Sequence, residues 1–145
     1  LVGYSGGHKK NPSYKEVTSG STGHAEAVQI TYDSTKISYK ELLDVFWKNI
    51  DPTVKNRQFC DVGSQYRSAI FYHDDKQKKI AEEYKEKLYK KFETIHTEVV
   101  QFKVFFEAED YHQNYYKKNP IRYNLYRFNC GRDKRLKELW NKNEK

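Results

Sequence analysis

The sequence has 145 residues, a length that suits one domain with a core of its own. Aromatic residues make up 16% of it and the formal net charge is +7, which favours an aromatic-rich core over a disordered chain. No apolar run approaches the roughly 20 residues of a membrane span. The two cysteines, Cys60 and Cys130, make neither a disulfide scaffold nor a metal site. We therefore expect one folded domain, residues 1–145, without a membrane segment or a bound metal.

The positive charge comes mainly from lysines in residues 76–91 and 117–145. These lysines alternate with glutamates at helical spacing, a pattern that is typical of a solvated helix surface. A basic chain can also bind nucleic acid, but here the lysines are not interleaved with aromatic residues on one strand face. We predict no nucleic-acid partner.

The N-terminal part of the chain predicts two strands separated by a polar loop. Residues 1–4 predict a strand that runs into a glycine turn, and residues 8–23 predict the loop. Residues 25–32 alternate apolar and polar side chains, which predicts the second strand. The sequence contains no methionine and opens at Leu1, so we expect the natural N-terminus to be missing.

The middle of the chain predicts two helices around a long loop. Ser38 and Glu41 have the spacing of a capping box, and the apolar residues after them share one helical stripe that ends before Pro52. Residues 53–65 predict a long loop of the kind that often carries function. A short strand at residues 68–72 then precedes a helix capped by Asp74 or Asp75.

The C-terminal part predicts one more strand region and two helices. Residues 97–106 contain strand material, residues 109–120 predict a helix that ends near Pro120, and residues 132–141 predict a last amphipathic helix. Strands interleaved with helices indicate an α/β (α+β two-layer sandwich) fold. We expect a small mixed sheet with helices packed on it and an irregular C-terminal segment.

A series of motifs follows the order found in A-type peptide methionine sulfoxide reductases: GYSGG, NPSYKEV, SGSTGHAEAV, ISYKELLDVFW, DVGSQYRSAIFYH, AEDYHQNYYKKNP and RFNCGRDKRLKELW. The resemblance spans residues 1–140. It implies an oxidoreductase that reduces the S epimer of methionine sulfoxide, free or in proteins. It also implies no tightly bound cofactor, a thioredoxin-like reductant and a monomer, which we expect in the cytoplasm.

One family feature is absent from this sequence. The resemblance places the nucleophilic cysteine in a Gly-Cys-Phe-Trp motif upstream of GYSGG, and the sequence contains no such motif. A second family cysteine, in the NPSYKEV region, is Thr18 here. We therefore expect the chain as written to lack the nucleophile and to be inactive by itself.

The resemblance assigns the proton donors of sulfoxide reduction to Tyr14, Glu26 and Tyr66. A glutamate that donates must be protonated near neutral pH, and burial can raise a carboxyl pKa to about 6–7. Glu26 heads an apolar strand, which favours burial; a strand-end carboxylate in solvent is the structural alternative. For Tyr14 the alternative is a loop anchor, and for Tyr66 it is packing.

Asp61 resembles the family aspartate that orders polar groups near the nucleophile, and an Asx turn before Gly63 is its structural alternative. Tyr115 resembles a family pocket residue and is expected to bind substrate. His24 and His112 are expected to support local structure rather than catalysis.

Cys130 is the favoured resolving thiol, which would attack a sulfenic acid formed on the nucleophile. Cys60 is the alternative resolving thiol, and an inert buried thiol is the structural reading of either. A different function class also stays open: a non-catalytic module that binds oxidised methionine through Tyr14, Glu26 and Tyr66.

Overall fold

The computed structural model describes residues 1–141, in which strands and helices are interleaved as far as Glu107 and short helices follow. The strands are β1 Val2–Ser5, β2 Ala25–Val28, β3 Arg57–Gln58, β4 Asp61–Val62, β5 Ala69–Tyr72, β6 Glu98–Gln101 and β7 Phe105–Glu107. The α-helices are α1 Tyr14–Thr18, α2 Tyr39–Lys48, α3 Asp75–Leu88, α4 Tyr115–Lys118, α5 Pro120–Asn129 and α6 Arg132–Leu136. The predicted α/β class is confirmed.

The described strands form three small sheets. β1 lies in the middle of an antiparallel sheet between β2 and β7, β3 and β4 form a hairpin, and β5 pairs with β6 in parallel. Parallel neighbours need a crossover connection, and α3 supplies it by packing against both strands. Among the described residues the parallel pair and the antiparallel strands belong to separate sheets, whereas the sequence predicted one small mixed sheet.

Two apolar clusters hold these elements together. The larger cluster lies between α2, α3, the β5–β6 pair and the C-terminal helical turn, and it consists of Leu43, Trp47, Ile70, Ala81, Phe92, Ile95 and Leu139. The smaller cluster joins β1 to α1 through Tyr4, Val17 and Ala108. The smaller cluster positions two of the predicted donors, because Tyr14 lies on the same helix as Val17 and Glu26 lies opposite Tyr4 in the sheet.

The polar segment 8–23, predicted to be a loop, contains a helix. α1 begins after Ser13, whose hydroxyl accepts a hydrogen bond from the Glu16 backbone N–H at 3.2 Å, while the Glu16 carboxylate accepts from the Ser13 N–H at 3.1 Å. This reciprocal capping box is the signal that would have predicted the helix. The neighbouring Gly and Ser residues concealed it, because they also fit a loop.

Two other segments differ from the prediction. The loop predicted at residues 53–65 contains the β3–β4 hairpin, and Gln58 anchors this hairpin by hydrogen bonds with the backbone N–H and C=O of Asp51, at 3.0 and 2.9 Å. The C-terminal segment, expected to be irregular, is a run of short helices: α4 ends at Lys118, near Pro120 as predicted, and Pro120 begins α5, which was not predicted. Proline is favoured at a first helical position because its missing N–H is not needed there.

Replacing Ser38 by alanine is expected to lower the free energy of unfolding by about 1 kcal/mol. The Ser38 hydroxyl accepts from the Glu41 backbone N–H at 3.1 Å, and the Glu41 carboxylate accepts from the Ser38 N–H at 3.3 Å. Urea denaturation measures the loss. Ser34→Ala, at an exposed position before the helix, is the matched control, and an equal loss in both variants would contradict the capping role.

Candidate active site

Glu26 lies on β2 directly opposite Tyr4 of β1, so the two side chains project from the same face of the sheet. The prediction that Glu26 is buried is wrong in part, because Glu26 is one of the exposed residues of β2. The surrounding protein still removes enough hydration from the carboxyl group to raise its pKa from 4.5 to about 7, and the charge of Asp61 adds to the effect. Glu26 is therefore both accessible and substantially protonated near neutral pH.

Tyr14 is the first residue of α1, and its backbone N–H donates a hydrogen bond to the Glu109 carboxylate at 3.3 Å. Burial raises the pKa of the Tyr14 phenol, and the charges of Glu26 and Asp61 raise it further. These electrostatic effects indicate that the phenol lies near both carboxyl groups, since Coulomb interactions fall off with distance. Tyr14 keeps its proton and can donate it in a hydrogen bond.

Tyr66 ends a short 3₁₀ turn, Ser64–Tyr66, that follows Gly63. Gly63 has φ +142°, a backbone conformation that side chains disfavour, so this glycine sets the direction of the turn. The Gln65 side-chain amide donates to the Thr18 carbonyl at 3.0 Å, which ties the turn to α1. Burial raises the pKa of Tyr66, followed by the charges of Glu26 and Asp61.

Asp61 begins β4, and the backbone N–H of Gly63 donates to the Asn56 carbonyl at 2.8 Å instead of to the Asp61 side chain, so the Asx-turn alternative is wrong. Its carboxylate accepts a hydrogen bond from the hydroxyl of Tyr126 on α5. Asp61 also contributes to the raised pKa values of Glu26, Tyr14 and Tyr66. The structure therefore brings together the four residues on which the sulfoxide hypothesis rests.

Two further tyrosines that were not predicted, Tyr126 and Tyr4, adjoin this group. Tyr126 lies on α5, a helix that was not predicted. Burial raises the pKa of Tyr126, and the hydrogen bond to Asp61 raises it further. The sequence signal was Pro120 at a helix start, seven residues before a basic last turn at Arg127.

Tyr4 lies beneath the site with 2% of its surface exposed. Burial raises the pKa of its phenol most, and the charges of Glu109 and Glu26 raise it further. Its hydroxyl has no hydrogen-bond partner among the described residues. The only sequence signal was its place on a strand of alternating faces, which does not identify the partner strand.

The remaining predicted residues lie at the edge of the site or support it. His24 is buried and joins two loop segments: its Nδ1 accepts from the Gly7 N–H at 2.9 Å, and its Nε2 donates to the Lys9 carbonyl at 2.7 Å. The His112 ring packs against Tyr14 with 4.3 Å between ring centroids. Tyr115 is partly exposed and raises the pKa of Tyr14 slightly. The supporting role predicted for His24 is confirmed by its hydrogen bonds.

Cys60 and Cys130 form a disulfide with 5.1 Å between their Cα atoms. Cys60 occupies the turn of the β3–β4 hairpin next to Asp61, and Cys130 follows α5, the helix that carries Tyr126. The reading of an inert buried thiol is wrong for Cys60, which is exposed. The disulfide and the Tyr126–Asp61 hydrogen bond thus connect the same two segments of the chain.

Within the described part of the chain, no group of His, Cys, Asp and Glu residues has the arrangement of a metal site. Among residues 1–141, no helix combines the length and the apolar composition that crossing a membrane requires.

Comparison with known proteins gives the family of the chain. The family model of peptide methionine sulfoxide reductase matches residues 1–144. The chain belongs to this family. It is 50% identical over 141 residues to the peptide methionine sulfoxide reductase MsrA of Bacillus licheniformis, and the alignment covers 95% of this chain and 78% of that protein. It is also 50% identical over 143 residues to MsrA of Bacillus subtilis, and this alignment covers 97% of this chain and 81% of that protein.

Solved structures of the reductase family have the same fold. Mxr1 from Saccharomyces cerevisiae in its reduced form superposes with a TM-score of 0.79 at 39% identity, covering 83% of this chain and 70% of that one. Methionine sulfoxide reductase A of Corynebacterium diphtheriae also gives a TM-score of 0.79, at 36% identity, covering 83% of this chain and 63% of that one. The predicted reductase fold is therefore confirmed.

Proposed function

We propose that this protein reduces methionine-S-sulfoxide to methionine, free or in oxidised proteins. The observation that carries the proposal is the accessible Glu26 carboxyl group, whose pKa is raised to about 7, within electrostatic reach of Tyr14, Tyr66 and Asp61. A protonated carboxyl group beside phenols is a set of hydrogen-bond donors. Such a set suits a ligand whose oxygen must accept a proton and leave.

The reaction needs both an attack on sulfur and a proton on oxygen. A thiolate attacks the sulfoxide sulfur, the S–O bond breaks, and the thiol becomes a sulfenic acid while the substrate becomes a thioether. Glu26 gives its proton to the leaving oxygen, and the phenols of Tyr14 and Tyr66 donate hydrogen bonds to it. A second thiol then condenses with the sulfenic acid, which forms a disulfide and releases water.

Asp61, Tyr126 and Tyr115 have supporting roles in this proposal. The negative charge of Asp61 favours the protonated form of Glu26, because like charges disfavour a second ionisation nearby. The Tyr126 hydroxyl holds the Asp61 carboxylate in place, so Tyr126 is a positioning residue. Tyr115, near Tyr14 at the edge of the site, is the substrate-binding residue.

The cysteines define what the chain can do by itself. Cys60 and Cys130 are its two cysteines, and each is bonded to the other rather than free beside Glu26. We assign the attacking thiol to the family's Gly-Cys-Phe-Trp motif and a resolving role to Cys130, with Cys60 as the alternative. A thioredoxin-like dithiol would then reduce the resulting disulfide, with the protein acting as a monomer in the cytoplasm.

The chain of residues 1–145 is expected to bind a methionine-S-sulfoxide dipeptide without reducing it, because Cys60 and Cys130 are bonded to each other and neither occupies the family's nucleophile position. An NMR titration measures binding, and methionine release in the presence of dithiothreitol measures turnover. The same chain extended by an upstream Gly-Cys-Phe-Trp segment is expected to turn over. Failure of the extended chain to reduce the sulfoxide would contradict the proposed function.

The pairing of both cysteines favours one other candidate function, a non-catalytic module that binds oxidised methionine. The titration separates the two candidates. Binding that persists, together with no turnover by the extended chain, would favour the binding module.

A further inference from the structure

A cavity of about 250 Å³ lies directly beside the Cys60–Cys130 disulfide, on the surface between the β3–β4 hairpin and the C-terminal helices. Both cysteines line it, together with Asp51, Arg57, Phe59 and Arg135. None of these six residues belongs to the donor group around Glu26. The cavity therefore gives a small molecule access to the disulfide from outside the sulfoxide site.

The charges around this cavity favour an anion. Arg135 is already paired with the buried Asp51 at 3.0 Å and with Glu138 at 3.2 Å, so the acid in the cavity wall is neutralised. Arg57 is exposed, and no carboxylate among residues 1–141 lies within ion-pair distance of it. Its guanidinium group can hold a carboxylate through two parallel hydrogen bonds.

The cavity wall formed by the β3–β4 hairpin turn is held in place by several contacts. The guanidinium group of Arg132 lies 4.3 Å from the centre of the Phe59 ring, and it donates a hydrogen bond to the Asn49 carbonyl at 2.8 Å. The side-chain amide of Gln58, next to Phe59, accepts a hydrogen bond from the Asp51 backbone N–H and donates one to the Asp51 carbonyl. The hairpin turn that carries Cys60 is thus fixed from two directions.

We propose that this cavity binds a low-molecular-weight thiol that carries carboxylate groups, and that the bound thiol reduces the Cys60–Cys130 disulfide. The inference goes beyond the proposed function, because it concerns how electrons enter this disulfide and not how the sulfoxide loses its oxygen. It gives the protein a route of reduction in addition to a protein dithiol.

The chemistry is two successive thiol–disulfide exchanges. The thiolate of the first small thiol attacks the sulfur of Cys60, the more exposed of the two cysteines. A bond forms between the two sulfurs, the Cys60–Cys130 bond breaks, and the electron pair leaves with the Cys130 sulfur, which takes up a proton. A second small thiol attacks the mixed disulfide, releasing Cys60 as a thiol and a small-molecule disulfide. The protein gains two electrons and two protons, which the two small thiols lose.

The test follows reduction of the disulfide in the 145-residue chain by mass spectrometry after alkylation of free thiols. The probes are thioglycolate, which carries a carboxylate, and mercaptoethanol, which is neutral. Arg57→Gln removes the unpaired guanidinium group, and Lys55→Gln is the matched control, because it removes an equal exposed charge from the same segment without touching the cavity. Comparing variants with the same thiol cancels the intrinsic reactivity of that thiol.

Arg57→Gln is expected to slow reduction by thioglycolate about three- to tenfold and to change reduction by mercaptoethanol by less than about twofold. Lys55→Gln is expected to leave both rates within about twofold of the wild-type rates. Equal slowing of both thiols by Arg57→Gln, or slowing by Lys55→Gln as large as that by Arg57→Gln, would overturn the proposal. Because the assay contains no sulfoxide, its result is independent of whether the protein reduces methionine sulfoxide.

Discussion

Binding of methionine sulfoxide to this chain is expected to weaken about tenfold as the pH rises through about 7. The Glu26 carboxyl group, with its pKa raised to about 7, is protonated below that pH and can donate a hydrogen bond to the sulfoxide oxygen. Above it, the ionised carboxylate has no proton to donate and repels the oxygen. A lost donor of this kind is worth about 1.4 kcal/mol, which corresponds to the tenfold change.

Glu26→Gln is expected to abolish this pH dependence while leaving binding near its low-pH strength, since a glutamine amide donates a hydrogen bond at every pH in the range. NMR titrations at about pH 5.5 and about pH 8.5, on either side of the carboxyl pKa, measure both affinities. Glu107→Gln, at an exposed position of β7, is the matched control and is expected to keep the wild-type dependence. A dependence that survives in Glu26→Gln would show that another group titrates.

The same substitution is expected to affect turnover much more than binding. In the chain extended by the Gly-Cys-Phe-Trp segment, Glu26→Gln should lower the rate about 10²- to 10⁴-fold, because an amide cannot transfer the proton that the leaving oxygen requires. The contrast between retained binding and lost turnover distinguishes a proton donor from a residue that only holds the substrate.

The parts of the fold with strong local signals could be predicted from the sequence. α2 and α3 carry an N-cap and an apolar stripe, and both lie where the pattern placed them. The β3–β4 hairpin could not be predicted, because its strands are two residues long. In addition, the turn residue with positive φ is Phe59, at +54°, and not the glycine that usually signals such a conformation in a sequence.

The site illustrates a different limit. The resemblance pointed residue by residue to Tyr14, Glu26, Tyr66 and Asp61, and the structure brings these residues together. Tyr4 and Tyr126 could not be predicted as site residues. Tyr4 lies at the site because of the register between β1 and β2, and Tyr126 because α5 packs near Asp61. Local sequence patterns show neither the register nor the packing. The pairing of Cys60 with Cys130 could not be predicted for the same reason, since the two cysteines are 70 residues apart.

Loss of the Cys60–Cys130 disulfide is expected to lower the free energy of unfolding by about 4 kcal/mol, the amount that chain entropy gives for a loop of this length. The bond closes a separation of 70 residues. The apolar core does little to hold α5 in place: none of its residues is fully buried, and Ile121 and Phe128 are 76% and 81% exposed. The disulfide and the hydrogen bond from Tyr126 to Asp61 therefore provide much of the attachment of this helix to the site.

Urea denaturation of Cys60→Ser, Cys130→Ser and the double variant tests this expectation. All three variants should lose the same free energy, because each removes the same single bond and two substitutions in one interaction do not add. Wild-type protein with excess reductant should match them, which controls for any effect of the serine side chains. Additive losses, or variants as stable as the oxidised wild type, would contradict the role of the bond. The disulfide would then affect only its own hairpin turn, and the position of Tyr126 at Asp61 would depend on α5 alone.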